Sequence, residues 1–372
     1  MKWLNCEKMR FMLIVFVAAI IIDGGSTKAD FTFGEPIHLG STINSSSDDA
    51  QPCISANGLE LYFNSNRAGG YGLSDLWVST RATIHDEWGT PANLGPTVNS
   101  PANDAGPNIS SNGLELFFYS SRPGCLGDAD LYVTTRTSIQ DDWDEPINLG
   151  SPVNMSSGGA YAPSISADGL TLFFDSDRSG GYGGFSDIWV TTRATMDDPW
   201  SEAVNLGSTV NTGGAEISPC ISADSLWLLF RSWRSGGQGN CDLWLSTRAT
   251  TSDSWGVPVN LGPPVNSSSC EHDPSLSADG LTLFFGSNDR LGQLGGEDLW
   301  QAAIIPIVDF NDDRNVDTDD LLIMIDSWDT DNSLCDIGPM PWGDGVVDIE
   351  DLKVFIKYWE QENMPQETDD GE

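Results

Sequence analysis

The chain has 372 residues and a mass of 40.2 kDa, enough for two or three domains with a sizeable core. Its 55 Asp and Glu against 17 Lys and Arg give a formal net charge of −38. A surface that negative repels phosphate backbones and anionic lipid heads, which excludes nucleic acid and membrane surfaces as partners.

In chain order, the first element is a leader. Lys2, Lys8 and Arg10 precede an apolar run from 11 to 22, and small residues follow at Thr27 and Ala29. The run is too short for a bilayer, which needs about 20 apolar residues, so residues 1–29 read as a signal peptide cleaved after Ala29. The expected product is exported to the extracellular space, cell surface or periplasm, without membrane insertion. Cys6 lies ahead of the apolar run, so a lipoprotein anchor does not fit. The remaining cysteines, Cys53, Cys125, Cys220, Cys241, Cys270 and Cys335, form no Cys-x-x-Cys pair. An oxidising compartment permits bridges, but spacing singles out none, and buried free thiols are the plainer reading.

A repeat then dominates. Segments starting at Ser55, Ser110, Ser166, Ser222 and Ser277 superpose at intervals of about 55 residues as Ser-x-[Asp/Asn]-Gly, an apolar-aromatic run and Ser-x-Arg. Ser225 replaces the turn glycine in the fourth copy. Each copy continues through a Gly-rich loop into Asp-[Leu/Ile]-[Trp/Tyr] at Asp75, Asp130, Asp187, Asp242 and Asp298. Alternating apolar residues between Asn-Gly, Asp-Gly and Gly-Gly turns predict four strands per copy, the unit of a propeller blade. The fourth strand ends in Leu-Gly-x-x-[Val/Ile]-Asn at Gly40, Gly95, Gly150, Gly207 and Gly262. The first of these precedes every other strand, and the last copy lacks one, so the N-terminal strand is expected to complete the fifth blade and close a ring over 30–305. The repeat resembles the TolB-type, WD-like propeller family over about 275 residues, departing where Ser225 stands for glycine and Gln301 for the Thr-Arg element. That likeness implies a rigid interaction platform without implying one activity.

Four copies place an acid three residues before the inner-strand proline, at Asp49, Asp104, Glu216 and Glu271, with Ala160 breaking the series. A ring of carboxylates at a channel mouth would hold a cation or basic group, or supply a glycosidase acid/base pair. The plainer expectation is that each accepts backbone N–H bonds and fixes its blade. Arg67, Arg122, Arg178, Arg234 and Arg290 recur beside the Asp series that opens each third strand, so these two series are expected to pair and lock a hairpin. The repeated Trp residues are expected to pack between blades. His272 with Asp273 is the one asymmetric polar feature and is assigned no role.

After Pro306 the composition changes: residues 306–372 hold 20 acids and three bases. Asp309, Asn311, Asp313, Asn315, Asp317 and Asp320 occupy positions 1, 3, 5, 7, 9 and 12 of a twelve-residue loop, the oxygen shell of a calcium site, although Arg314 stands at the turn position usually held by glycine. An offset of 31 residues maps Asp313, Asp317 and Asp320 onto Asp344, Asp348 and Asp351, each last member opening an apolar helix. Met340 and Trp342 fall where the second loop needs ligands; Asp336 serves as its first only if that loop is four residues longer. One firm and one weaker calcium site are therefore expected in a small all-α unit over 306–361, followed by an acidic tail over 362–372. Paired loop-helix halves of this kind resemble a type I dockerin over about 55 residues. The likeness implies calcium-dependent attachment to a cohesin-like scaffold module in a polysaccharide-degrading context, with Thr318, Asp319, Ile349 and Glu350 as partner-reading positions.

The expected protein is thus an all-β five-bladed propeller with a small calcium-loop domain. It is read as a non-catalytic module that binds a glycan or protein and is tethered by its C-terminus. A propeller glycan hydrolase or lyase drawing on Asp49, Asp104, Glu216 or Glu271, and a structural envelope component, are the alternatives.

Overall fold

A computed structural model describes residues 31–311, 315–330, 332, 334–338 and 346–363; the leader over 1–29, Asp313, Asp344 and the tail beyond 363 lie outside them. The chain begins with β1 (Phe31–Phe33), β2 (Ile37–His38) and a single helical turn, α1 (Gly40–Ile43). The first blade follows as β3 (Asp49–Ile54), β4 (Glu60–Ser65), β5 (Asp75–Thr80) and β6 (Ala92–Asn93). The second is β7 (Asp104–Ile109), β8 (Glu115–Ser120), β9 (Asp130–Thr135) and β10 (Ile147–Asn148). The third is β11 (Ala160–Ile165), β12 (Thr171–Ser176), β13 (Asp187–Thr192) and β14 (Val204–Asn205). The fourth is β15 (Glu216–Ile221), β16 (Trp227–Ser232), β17 (Asp242–Thr247) and β18 (Val259–Asn260). The fifth has β19 (Cys270–Leu276), β20 (Thr282–Asn288) and β21 (Asp298–Pro306) from the end of the repeat and takes its outer strand from β2, where Ile37 faces Gln301 and His38 faces Trp300. The protein is a five-bladed antiparallel propeller closed by its N-terminal strand. Among the described residues no helix is long and apolar enough to cross a membrane.

Each repeated motif has a local cause. In the Ser-x-[Asp/Asn]-Gly turn, Ser55 Oγ accepts the Glu60 N–H at 2.9 Å and Asn57 Oδ1 accepts the Leu59 N–H at 2.9 Å. The chain reverses at Gly58 with φ +70°, a region open to glycine; Ser225 takes it at φ +63° in the fourth blade and carries the strain. In the Leu-Gly-x-x-[Val/Ile]-Asn motif the asparagine is the working residue. Asn99 Oδ1 accepts the Leu76 N–H at 2.8 Å while its Nδ2 donates to the Leu76 carbonyl at 3.0 Å. It thereby satisfies both polar groups of a buried strand residue, and Asn44, Asn154, Asn211 and Asn266 repeat the grip.

The core lies between blades. Tyr62 and Leu76 of the first blade pack with Ile109, Leu116 and Phe118 of the second. Trp143, Trp200 and Trp255 each lie edge-on to an aromatic ring of the preceding blade, Tyr62, Phe117 and Phe173, and each sits under an arginine of its own blade. A disulfide joins Cys241 to Cys270 across the fourth and fifth blades; Cys53, Cys125, Cys220 and Cys335 are free thiols. Beyond the propeller stand two helices, α2 (Thr318–Asp326) and α3 (Ile349–Asn363). Val308, Phe310, Val316, Met324, Cys335, Ile337, Val347 and Phe355 form an apolar cluster of their own.

Candidate functional site

Asp49, Asp104, Glu216 and Glu271 are fully buried, at 0% exposure. Each is ion-paired to the arginine of its own blade: Asp49 to Arg67, Asp104 to Arg122 at 2.6 Å, Glu216 to Arg234 at 3.2 Å and Glu271 to Arg290 at 3.2 Å. Each also accepts backbone N–H bonds from the loop before it, as Asp104 does from Ser100 at 2.6 Å. These carboxylates fasten the inner strand to its own hairpin. The expected pairing of the arginines with the third-strand Asp series is corrected here. Asp75 instead accepts the Tyr71 and Gly72 N–H groups and the Asn93 amide, which shapes the hairpin loop. In the third blade, where Ala160 removes the acid, Arg178 is held by Ser176 Oγ and the Val153 carbonyl; burial lowers its pKa to about 10.

A different set of residues converges on the propeller axis. The residue before each inner-strand proline, Gln51, Gly106, Ala162, Ser218 and Asp273, sits at a bulge with φ between +42° and +62°. With the prolines, Asn108 and Ser275, they line an axial cavity of about 30 Å³. Directly above, the residue between the repeated Phe and Ser of each second strand differs in every blade: Asn64, Tyr119, Asp175, Arg231 and Gly286. Gly286 leaves room for the His272 ring, whose Cε1 lies 2.4 Å from where a Cβ would stand.

Ser218 joins the two acids of this group. Its N–H donates to Asp175 Oδ1 at 3.0 Å and its hydroxyl to Asp273 Oδ1 at 2.5 Å, while His272 Nδ1 lies 2.9 Å from Asp273 Oδ2. The two carboxyls are electrostatically unequal. Burial, reinforced by the negative charge of Asp273, pushes Asp175 up to about 7. Burial would raise Asp273 as well, but His272, Arg231 and the Ser218 hydroxyl more than offset it and hold the group below its ordinary value. Glu297, 3.9 Å from His272 Nε2, is raised by burial. Tyr119 and Tyr161 meet edge to face at 5.3 Å, and burial raises both phenols, Tyr161 to about 12, so they stay neutral. Tyr71, Tyr182, Phe185 and Trp233 stand exposed on the hairpin loops at this end of the strands. The sequence singles out His272 and Asp273 by their asymmetry; the rest of the set lies in columns of the repeat that vary from blade to blade, which a search for repeating residues passes over.

In the C-terminal unit the last acid of each half is held in the same way. Asp320 is fully buried, and its carboxylate accepts the N–H groups of Phe310, Asn311 and Asp317. Asp351, also fully buried, accepts those of Ile337, Gly338 and Asp348. Asp336 therefore stands in the second half where Asp309 stands in the first, as the longer loop requires. Asp317 and Asp348 each cap their helix, accepting the N–H groups of Asp319 and Glu350 at 2.8 Å. Thr318, Asp319 and Ile349 are exposed in the first turns, and Glu350 is partly exposed beside Lys353. Among the described residues no three His, Cys, Asp or Glu side chains converge as a metal site; Asp313 and Asp344 lie outside that set. Asp309, Asn311, Asn315 and Asp317 with Asp320, and Asp336 and Asp348 with Asp351, are hard oxygen donors of the kind calcium takes.

No protein-family model matches the chain, and no curated protein matches it. Among solved structures it is similar to the alpha-L-arabinofuranosidase of Podospora anserina, at 13% identity and TM-score 0.47 over 74% of this chain and 96% of that one. It is also similar to a putative TolB from Agrobacterium tumefaciens, at 15% identity and TM-score 0.44 over 76% of this chain and 100% of that one. A third is a family 117 glycoside hydrolase of Zobellia galactanivorans, at 11% identity and TM-score 0.46 over 75% and 90%.

Proposed function

We propose that this is an exported carbohydrate-binding propeller, attached through its C-terminal calcium-loop helices to a cohesin-like module. The observation that supports it is the convergence of unlike polar side chains, Tyr119, Tyr161, Asp175, Arg231, His272 and Asp273, on the axis of an otherwise repetitive ring, with exposed aromatic residues at the same end. Carboxylates and phenols bond sugar hydroxyls, and aromatic faces cover the apolar side of a sugar ring. Binding is favoured over bond cleavage by size. The axial cavity is about 30 Å³, against the roughly 300 Å³ or more of pockets that enclose a small molecule, and Asp175 is only 4% exposed. Calcium, held by the Asp309–Asp320 oxygens and by Asp336, Asp348 and Asp351, would supply folding energy to the tether.

A second reading, a glycoside hydrolase, is favoured by the inequality of Asp175 and Asp273, since paired carboxyls with separated pKa values are how an acid and a base coexist. Its residues would be these two rather than Asp49, Asp104, Glu216 or Glu271. A glycan array probed with the full chain tests both. Retention of a glycan that is lost in Asp273→Asn supports binding. Release of shortened products, abolished by Asp175→Asn, would replace it with the hydrolase. Pull-down of a cohesin module in calcium but not in chelator tests the tether.

A further inference from the structure

We propose that the axial cavity and its mouth take a protonated amine, so that the glycan bound on this face is an amino-sugar polymer with free amino groups. The proposal rests on the carbohydrate reading above and narrows it to one substrate class.

Three observations carry it. The first is size. A cavity of about 30 Å³ holds one or two water-sized groups, since a water needs roughly 10–15 Å³. An ammonium group enters; an acetamide or a sugar ring does not. The second is charge. The four ring arginines Arg67, Arg122, Arg234 and Arg290 are neutralised by their own acids. Asp273, which lines the cavity, is held ionised, and Asp48, Asp128 and Asp177 lie near enough to raise Glu297 or Tyr161. Against these stand Arg231, stacked 4.1 Å over Trp233, Arg178, which has no ring acid in its own blade, and His272. The surplus is negative and adds to a chain charge of −38, which attracts a cationic glycan and repels a uronate or sulfated one.

The third observation is a buried group without a partner. His272 is 1% exposed, and among the described residues its Nε2 makes no hydrogen bond. Its Nδ1 lies 2.9 Å from Asp273 Oδ2, which leaves Nε2 as the ring atom to meet a ligand. That atom lies within the same carboxylate cluster, 3.9 Å from Glu297 Oε1, and as donor or acceptor it can meet a sugar hydroxyl beside the amine.

The test is calorimetric titration of the full chain at pH 6 and low salt with four probes: a glucosamine hexamer, an N-acetylglucosamine hexamer, a galacturonate hexamer and a lysine hexamer. The expected result is that the free-amine sugar binds at least tenfold more tightly than the acetylated one, that the galacturonate shows no binding, and that the preference shrinks in 0.5 M salt. Asp273→Asn should weaken the free-amine probe more than the acetylated one and so remove the preference for the amine. If that variant melts early, Glu297→Gln, at a more exposed position, should weaken the amine alone by a smaller factor. Equal binding of the two hexosamine hexamers would overturn the amine and leave the carbohydrate reading standing. Lysine hexamer binding as tightly as the sugar would assign the cavity to a basic peptide, and binding of none of the four would overturn the amine proposal together with its premise.

Discussion

At the scale of single residues, the molecule holds two kinds of carboxylate that sequence alone makes hard to separate. Asp104 and its counterparts are buried against arginines, and removing one partner of such a pair strands a buried charge at about 3–5 kcal/mol. Asp104→Ala should lower the unfolding free energy by that amount in urea titration; a change within error would show that Arg122 finds other partners. The regular spacing of both series was legible, but their pairing was not, because the inner-strand acid and the third-strand Asp flank the same arginine and only the fold decides between them. Asp175 is the opposite kind. Its folded pKa is raised from an ordinary 3.8 to about 7, so the folded state binds the extra proton and stability falls as pH rises from about 4 to 7, then levels. Asparagine keeps the oxygen that accepts the Ser218 N–H and removes the charge. Asp175→Asn should therefore melt like the parent at pH 4 and increasingly above it by pH 8, by on the order of 4 kcal/mol. A gap that is constant with pH would show that Asp175 does not titrate in this window.

At the scale of elements, closure is stronger than the sequence suggests. The Leu-Gly-x-x-Ile-Asn motif at 39–44 located β2, but β2 contributes only two residue pairs. The larger share comes from β1, where Phe31, Thr32 and Phe33 face Pro306, Ile305 and Ile304. Phe31 also lies 4.6 Å from the Trp227 ring of the fourth blade, so the terminal strand spans a blade boundary. Three residues directly behind the expected cleavage site carry no periodicity to read, which is why this strand was not legible. His38 takes the place of the asparagine found in the other outer strands, reaching Asp298 at 3.0 Å as Asn93 reaches Asp75. Phe31→Ala should cost about 3 kcal/mol. Deleting residues 31–38 should cost far more, because it leaves β21 as an open sheet edge that invites association. Thermal melting and light scattering measure both; a truncated chain that melts with the parent would remove the N-terminal strands from the closure.

At the scale of the whole molecule, two circuits determine what holds together. In the propeller, the residue after each inner-strand proline bonds the next blade: Cys53 accepts from Ile109, Asn108 from Ile165, Ser164 from Ile221, Cys220 from Leu276, and Ser275 from Ile54. The last bond returns to the first blade, so the ring is closed at its axis as well as at its rim. The C-terminal unit has no such reinforcement. A nine-residue helix such as α2 is marginal alone, and 20 acids against three bases over 306–372 repel one another. Its cohesion must come from the small apolar cluster and from whatever the loop oxygens hold. The sequence argues for unequal halves, because Met340 and Trp342 displace ligands in the second loop. The folded chain gives Asp351 the same burial and the same three N–H bonds as Asp320, which concerns how this acid is held and leaves the ligand count of the loop as the sequence has it. Asp320→Ala and Asp351→Ala should therefore weaken the unit to a similar degree, each leaving three backbone donors without an acceptor. Circular dichroism and limited proteolysis of the full chain would measure this. Calcium should protect the segment after 306 in the parent, chelator should expose it while the propeller stays resistant, and both variants should be cut in calcium at comparable rates. Rapid cleavage of Asp320→Ala alongside a resistant Asp351→Ala would restore the unequal halves, and cleavage of the parent at the same rate in calcium and in chelator would separate this unit from the metal altogether.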